Sequence, residues 1–351
     1  MNVSVDYFMN GRASGDVAST LLNNGFDVSS LRPFTGKDER SYVTVNGKSK
    51  LVANAPATLR KDDWIHLDTA IIKAAKPRLR AWGDLMSMGL RYNIPNGMGH
   101  TVLQHQDQSD ITPATISMDG LRKSESDWPV FDLKNLPLPI IHKDFHFSAR
   151  EIAASRNGGS PLDTSTAELA SRRVAEEAEK LTVGTADSFA YGGGSIYGYV
   201  NYPNRLTKSL TDPADGGWTP AVLVGEVLAM KAQAQAAYHY GPYMLYFSTD
   251  WDQYLDDDYS SAKGDNTLRE RLAKIDGVQD VKTLDYLPAQ SCVLVQMTSN
   301  VVRGVVGMNI VTVQWESHGG FLLNFKVMAI LVPQLRSDQN DKTGIVHGSY
   351  S

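Results

Sequence analysis

Four clusters in the sequence have residue types that could carry chemistry. His142 and His146 stand four apart, the spacing that puts two imidazoles on one helix face toward a metal. They lie in a Pro- and Phe-rich stretch that reads as strand or loop, and the glutamate of a zinc-protease motif is missing. Gly192-Gly193-Gly194-Ser195 could cradle a phosphate, but the Lys-Ser/Thr pair of a P-loop does not follow; Ile196-Tyr197-Gly198-Tyr199 does, and it is strand-like. A turn is the better reading. Asp256-Asp257-Asp258 could attract a cation, yet consecutive carboxylates on a helix point in different directions, and calcium-loop spacing is absent. These read as a solvated acidic tip. Cys292 precedes the apolar run Val293-Leu294-Val295, so it reads as buried in a strand rather than activated as a nucleophile. Neither a nucleophile elbow nor a dinucleotide fingerprint appears. The expectation is therefore no catalytic, cofactor or metal site.

The elements that would position such residues are more informative. With 351 residues, 42% hydrophobic and 21% charged, the chain is long enough for about two globular domains. One cysteine allows no internal disulfide, which points to a reducing compartment. The first residues lack the charged and apolar blocks of a signal peptide, and the apolar run 321–332 is too short to span a bilayer. A net charge of −5, with no basic run longer than Arg172-Arg173, argues against specific nucleic-acid recognition.

Up to about residue 59 the chain reads as an arm, with Tyr42–Val45 leading into an Asn46-Gly47 hairpin turn. Trp64, Leu67, Ile71, Ala75, Leu79, Trp82 and Leu85 recur at helical spacing over 62–88, where Pro77 should break the helix. From 91 to 139 the period vanishes among Gly and Pro, which suggests a long two-stranded excursion that needs a partner surface. A helix over 166–181 begins at a Ser165-x-x-Glu168 capping box. Its apolar stripe is Ala170, Val174, Ala178 and Leu181, and the pairs Glu168–Arg172 and Glu176–Lys180 should support an otherwise exposed surface. A third helix starts at Thr219-Pro220 and should stop at Gly241-Pro242. Tyr243–Phe247 reads as a strand, 250–259 as a short helix, and Thr267 with Glu270 caps a further helix. Strands follow at 278–284, 292–298, 308–315 and 321–332, the last two joined across Gly319-Gly320 and returning to the domain of the second helix.

This order resembles the major capsid proteins of tailed bacteriophages, a fold that encapsulin compartments share. Asp63-Trp64-Ile65-His66-Leu67-Asp68 with Ala70 and Ala74 resembles the family's first helix. Leu136-Pro137-Leu138-Pro139-Ile140 through Phe147 resembles the strand returning from its projecting loop. Gly241-Pro242-Tyr243-Met244-Leu245-Tyr246 resembles a strand of its axial domain. Glu316-Ser317-His318, Phe325-Lys326-Val327 and 329–332 resemble its closing strands.

The resemblance covers about residues 60 to 335 and implies an α+β, Hong Kong-type capsid fold. It places an N-terminal arm at 1–60, a helix at 61–90 and an extended β-hairpin loop at 91–137. The peripheral domain would comprise 138–199 and 308–335 with a long spine helix, the axial α/β domain 200–307, and a C-terminal tail 336–351. It implies no enzyme but a subunit that assembles with itself into hexamers and pentamers around phage double-stranded DNA, held non-specifically. Scaffolding, portal and decoration proteins would be partners; no membrane would be. The site would be the virion capsid, assembled in the host cytoplasm. Subunit contacts are expected at Arg122, Lys123 and Trp128 in the loop, Arg172 and Arg173 on the spine helix, and Trp251. Lys123 and Lys134 lie where some members cross-link a loop lysine, but the asparagine partner and carboxylate are not matched. The long segment ahead of the first helix departs from encapsulins and favours the phage capsid. Without a Lys-rich acidic helical prodomain, a separate scaffolding protein is expected. Residues 97–130 should be dispensable for subunit folding and required for assembly. An encapsulin-like compartment, an oligomeric α/β enzyme, and a tail or decoration protein remain the alternatives.

Overall fold

The computed structural model describes residues 34–35, 41–45, 48–51, 61–108, 114–118, 121, 128, 131–158, 164–259, 266–318, 321–338 and 341–350. Along the chain run β1 (Phe34–Thr35), β2 (Ser41–Val45), β3 (Lys48–Leu51) and α1 (Lys61–Ala75). A 3-10 turn (Lys76–Arg78) separates α1 from α2 (Arg80–Ser87). Next come β4 (Arg91–Asn93), β5 (Val102–Gln108), β6 (Phe131–Pro137), β7 (Ile141–Ser148), α3 (Ala149–Gly158) and α4 (Ser165–Val183). Then follow β8 (Ala190–Tyr191), β9 (Gly194–Ser195), β10 (Leu206–Ser209), α5 (Pro220–Ala236), β11 (Tyr243–Ser248), α6 (Asp252–Leu255) and α7 (Leu268–Ala273). Finally come β12 (Val278–Leu284), β13 (Ser291–Gln296), β14 (Val302–Ser317), β15 (Leu322–Leu335) and β16 (Ile345–Ser349).

The chain divides into two units: unit 1 holds 1–101, 138–186 and 303–334, and unit 2 holds 102–137, 187–302 and 335–351. In unit 1, β2 and β3 form the expected hairpin, closing on Val45 opposite Lys48, with β1 added beside β2. A four-stranded sheet runs β4-β14-β15-β7. The helical period in the first helix becomes packing: Trp64, Leu67, Ile71, Ala75, Trp82 and Leu85 are all buried. Trp64 meets Phe325 of β15 edge-on, and Phe325 stacks on Phe145 of β7, so one aromatic cluster ties helix to sheet. Pro77 breaks the helix as expected, since it has no N–H to continue the ladder.

Helix α4 departs from expectation in three ways. Its cap is Thr164, not Ser165, and Gly184 in the left-handed region ends it. It is buried on far more than a stripe, because Ala167, Ala170, Ser171, Ala175 and Ala178 let neighbouring backbones approach closely; Ser171 Oγ donates to the Ile71 carbonyl at 2.7 Å. Its ion pairs are also rearranged. Glu176 pairs with Arg172 at 3.4 Å and Arg173 at 2.9 Å, while Lys180 turns to Glu177.

Glu179, also on α4, is only 2% exposed, and its carboxylate accepts from the Ala81 and Trp82 N–H groups at 2.6 and 3.2 Å. These are orphan donors of the first turn of α2, so the side chain caps a helix about a hundred residues away in sequence. Burial pushes the Glu179 carboxyl up to about 7; the backbone N–H groups of Ala81, Trp82 and Arg80 oppose this and the Asp84 charge adds to it. An acid whose folded pKa is raised destabilises the fold where it must be ionised. Stability should therefore rise as pH falls from about 8 to 5, by about 3 kcal/mol from this group. Thermal midpoints measured against pH should show that rise in the wild type and a flatter profile in Glu179→Gln; parallel profiles would refute the assignment.

Unit 2 carries a mixed five-stranded sheet, β10-β16-β13-β11-β12. The β11 and β12 strands are parallel, joined through α6 and α7, whereas β11–β13 and β13–β16 are antiparallel. All six residues of β11 and of β13 are buried, which is why both read as continuous apolar runs without alternation. Leu223, Val227 and Met230 of α5 belong to the core beside this sheet. Thr267 caps α7 by accepting from the Glu270 N–H, as the sequence pattern implied. Helix α5 stops at Ala236, five residues before Gly241, because Tyr238 turns the backbone at positive φ.

Residues 336–351 are not simply a tail. Strand β16 lies between β10 and β13, with Ile345 and Val346 fully buried. Ile345-Val346 is too short an apolar run to announce a central strand; only the long-range pairing to β13 makes it one. Residues 187–199 also group with unit 2 rather than with α4, and 303–307 group with unit 1, where β14 pairs with β4.

Candidate functional site

The segment expected to project forms a hairpin in unit 2. Strands β5 and β6 pair antiparallel in unbroken register, from Val102 opposite Pro137 to Gln108 opposite Phe131. Around its distal end, Ile116, Met118, Leu121 and Trp128 are 95%, 106%, 85% and 89% exposed. Single exposed apolar side chains are ordinary; four large ones within 116–128, with half-exposed Phe131 and Leu133 on β6, are an unusual concentration and make this segment the candidate contact surface.

The root of the hairpin is held by the glycine cluster 192–194, whose sequence reads as a turn. Gly192 and Gly193 both take positive φ, which closes β8 on β9 as a two-residue hairpin. The Asn135 side-chain amide donates to the Gly192 carbonyl at 2.8 Å. A Cβ at Gly194 would fall inside the Asn135 carbonyl group. The close approach needs the missing side chain, so this cluster braces the loop rather than cradling phosphate. Gly194→Ala should separate the two hairpins while the core sheets persist. Proteolysis between 102 and 137 should accelerate at least several-fold with little change in circular dichroism; unchanged proteolysis would count against the brace.

The other candidate residues are scattered. His142 and His146 are exposed on β7, and His142 Nδ1 lies 3.8 Å from Asp144. Among the described residues no group of three or more possible metal ligands converges. The acidic tip is partly tied down, since Arg269 bridges Asp252 at 2.7 Å and Asp256 at 2.9 Å. Cys292 is fully buried beside Met230, and burial pushes its thiol pKa up, opposite to what a nucleophile needs. An open groove of about 440 Å³ in unit 2 is lined by Arg205, Thr207, Gln233 and Lys342 and brings no acid–base pair together.

Of the expected contact residues, Trp128 is exposed at the hairpin, and Arg172 and Arg173 lie on α4 beside Glu176. Arg122 and Lys123 lie outside the described residues. Trp251 is a correction: it is fully buried in unit 2, packed against Phe247, Tyr254 and Tyr350, so its surface is taken within the subunit. Trp251 ends the 3-10 turn (Thr249–Trp251) that follows β11, and there its side chain faces the core of its own unit. Sequence reasoning missed Arg78, whose guanidinium reaches Glu176 at 3.8 Å, because the two lie 98 positions apart.

Comparison with known proteins supplies the context for this arrangement. A family model described as a family of unknown function (DUF6260) matches residues 54–348. The type 1 encapsulin shell protein EncA of Myxococcus xanthus (strain DK1622) is 26% identical over 200 residues, 56% of this chain. The match spans 63% of that relative's length, less than two thirds. Among solved structures, the virus-like particle from Pyrococcus furiosus matches with a TM-score of 0.55 at 14% identity, over 81% of this chain and 98% of that one. The capsid of Myoviridae phage XM1 matches with a TM-score of 0.55 at 9% identity, over 72% and 86%. The fold is thus the α+β Hong Kong-type fold of phage capsids and encapsulin-like particles, and the proteins it resembles are described as a shell protein, a virus-like particle and a capsid.

Proposed function

The chain belongs to the family of unknown function DUF6260, and on that premise we propose that it is the major capsid protein of a tailed bacteriophage. The observation that carries the reading is a capsid-type subunit whose braced hairpin leaves Ile116, Met118, Leu121 and Trp128 uncovered. A surface of that kind is stabilised by lying on a neighbouring copy. Contacts that close into rings of five and six let one chain tile a shell, and many weak contacts together make the shell stable.

In this reading unit 1 is the peripheral domain with α4 as its spine, unit 2 is the axial domain with β16 as one of its strands, and β5–β6 is the projecting loop. The residues ahead of α1 are the arm. The packaged content is double-stranded DNA, with scaffolding, portal and decoration proteins as partners during assembly in the host cytoplasm. The second reading, an encapsulin-like compartment, is favoured by the resemblance to the Myxococcus shell protein. The long segment before α1 argues for the phage capsid, since the resemblance to encapsulins read from the sequence begins near residue 60.

Negative-stain electron microscopy of the protein expressed alone and with its neighbouring genes tests both. Closed shells or capsomer rings are expected, with DNA content marking a capsid and a protein cargo marking a compartment. A uniform small oligomer in every condition would overturn the shell reading.

A further inference from the structure

We propose that Arg172 and Arg173, with Arg78 beside them, form a binding site for nucleic-acid phosphates on unit 1; this deepens the reading of a DNA-enclosing shell and rests on it. Three guanidinium groups from two distant segments converge on one carboxylate. Glu176 lies 2.9 Å from Arg173, 3.4 Å from Arg172 and 3.8 Å from Arg78. Glu176 itself is nearly buried, so it can serve these cations only from the inner side. The Arg173 side chain remains 65% exposed, and those of Arg172 and Arg78 more than a third. Among the described residues, no second carboxylate lies within ion-pair distance of Arg172 or Arg173.

The geometry divides the labour. Glu176 anchors the Arg173 fork by a hydrogen bond, and the largely exposed Arg173 side chain, with the exposed part of Arg172 beside it, is suited to a phosphate's oxygens. Positive charge also extends beyond the cluster. Exposed Lys76 shares the 3-10 turn with Arg78, and exposed Lys73 lies one helical turn earlier. The nearby Glu177 is paired with Lys180. A single carboxylate from a second copy would need one or two cations; three guanidinium groups on one carboxylate, with two exposed lysines near Arg78 in the chain, suit a polymer with a phosphate at every step. The chain as a whole carries a net charge of −5, so this concentration is not part of a general basic excess. It is invisible in sequence as a cluster, because Arg78 and Arg172 meet only through the packing of α4 against the 3-10 turn.

The test is fluorescence anisotropy of labelled short duplex DNA of mixed sequence, titrated with dissociated subunits of the full chain at several salt concentrations, beside electron microscopy of the same preparations. Arg172→Ala/Arg173→Ala should weaken binding roughly tenfold or more at about 0.1 M salt and lower the log–log salt slope by roughly two, as expected for two lost phosphate contacts. Glu176→Gln should move affinity the opposite way, which loss of folding would not. Affinity and slope unchanged in both variants would overturn the proposal. So would normal DNA binding combined with loss of assembly in the double variant, which would assign the cluster to a carboxylate of a neighbouring copy. Shells that form while wild-type subunits bind no DNA would sink this site alone; DNA binding without any shells would sink the shell reading and leave the site.

Discussion

Replacing Ile116, Met118, Leu121 and Trp128 together by serine is expected to abolish particles while leaving folded subunits. Each of these side chains is almost fully exposed in the single chain, so none contributes packing to the subunit. Covering a large apolar side chain is worth about 1.5–3 kcal/mol, so four of them amount to roughly 6 kcal/mol or more for each subunit placed in a shell. Shell assembly multiplies that loss over every contact, because each subunit is held by several neighbours. Size-exclusion chromatography should show small species only, electron micrographs should be empty of shells, and the thermal midpoint of the subunit should stay within a degree or two. Normal shells from this variant would remove the hairpin from the assembly interface. Cutting back the whole segment 97–130 would be a poorer test than its sequence suggests, because the excision would begin inside the subunit core, at Gly97.

Gly97→Ala should be among the most damaging single changes in the chain. Gly97 is buried against Gly307 of β14, and a Cβ there would fall inside the Gly307 peptide. The obstacle is backbone on backbone, so no rotamer change relieves it. Ile94 N–H donates to the Val306 carbonyl close by, which fixes the spacing of the two segments. Separating them would also disturb the pairing of β4 with β14. The cost is about 3 kcal/mol, at the upper end for overpacking, and Gly307→Ala should behave similarly because its Cβ would press on Ile330. Chemical denaturation should show the loss directly. A variant as stable as the wild type would mean that the two segments do not meet in solution.

Much of the layout was legible before any coordinates. The first helix and its break at Pro77, the β2–β3 hairpin, the Thr267 cap and the buried runs of β11 and β13 all follow from patterns within a few residues. The burial of Cys292 was legible for the same reason, since a thiol inside an apolar strand is read from its neighbours. Where expectation failed, the deciding partner lay far away. Glu176 was assigned to Lys180 by helical spacing, but two arginines on its own helix and one from the 3-10 turn hold it instead. Glu179 lies off the apolar stripe read for α4, and only the N-terminus of α2 gives it a buried role. Gly194 looked like part of a flexible turn until Asn135 packed against it.

By itself, then, the sequence determined the main helices and several of the strands, their leading apolar positions, and the order of elements that resembles a capsid subunit. Local periodicity and capping chemistry suffice for that, because hydrogen bonds and side-chain spacing act over one or two turns. Only the tertiary structure decided that the last residues form a central strand, that Trp251 is core, that the glycine turn braces the hairpin, and that three arginines share one carboxylate. Each of these depends on a contact between segments tens to more than a hundred residues apart, and such contacts are chosen by the packing of the whole chain, which no local pattern encodes.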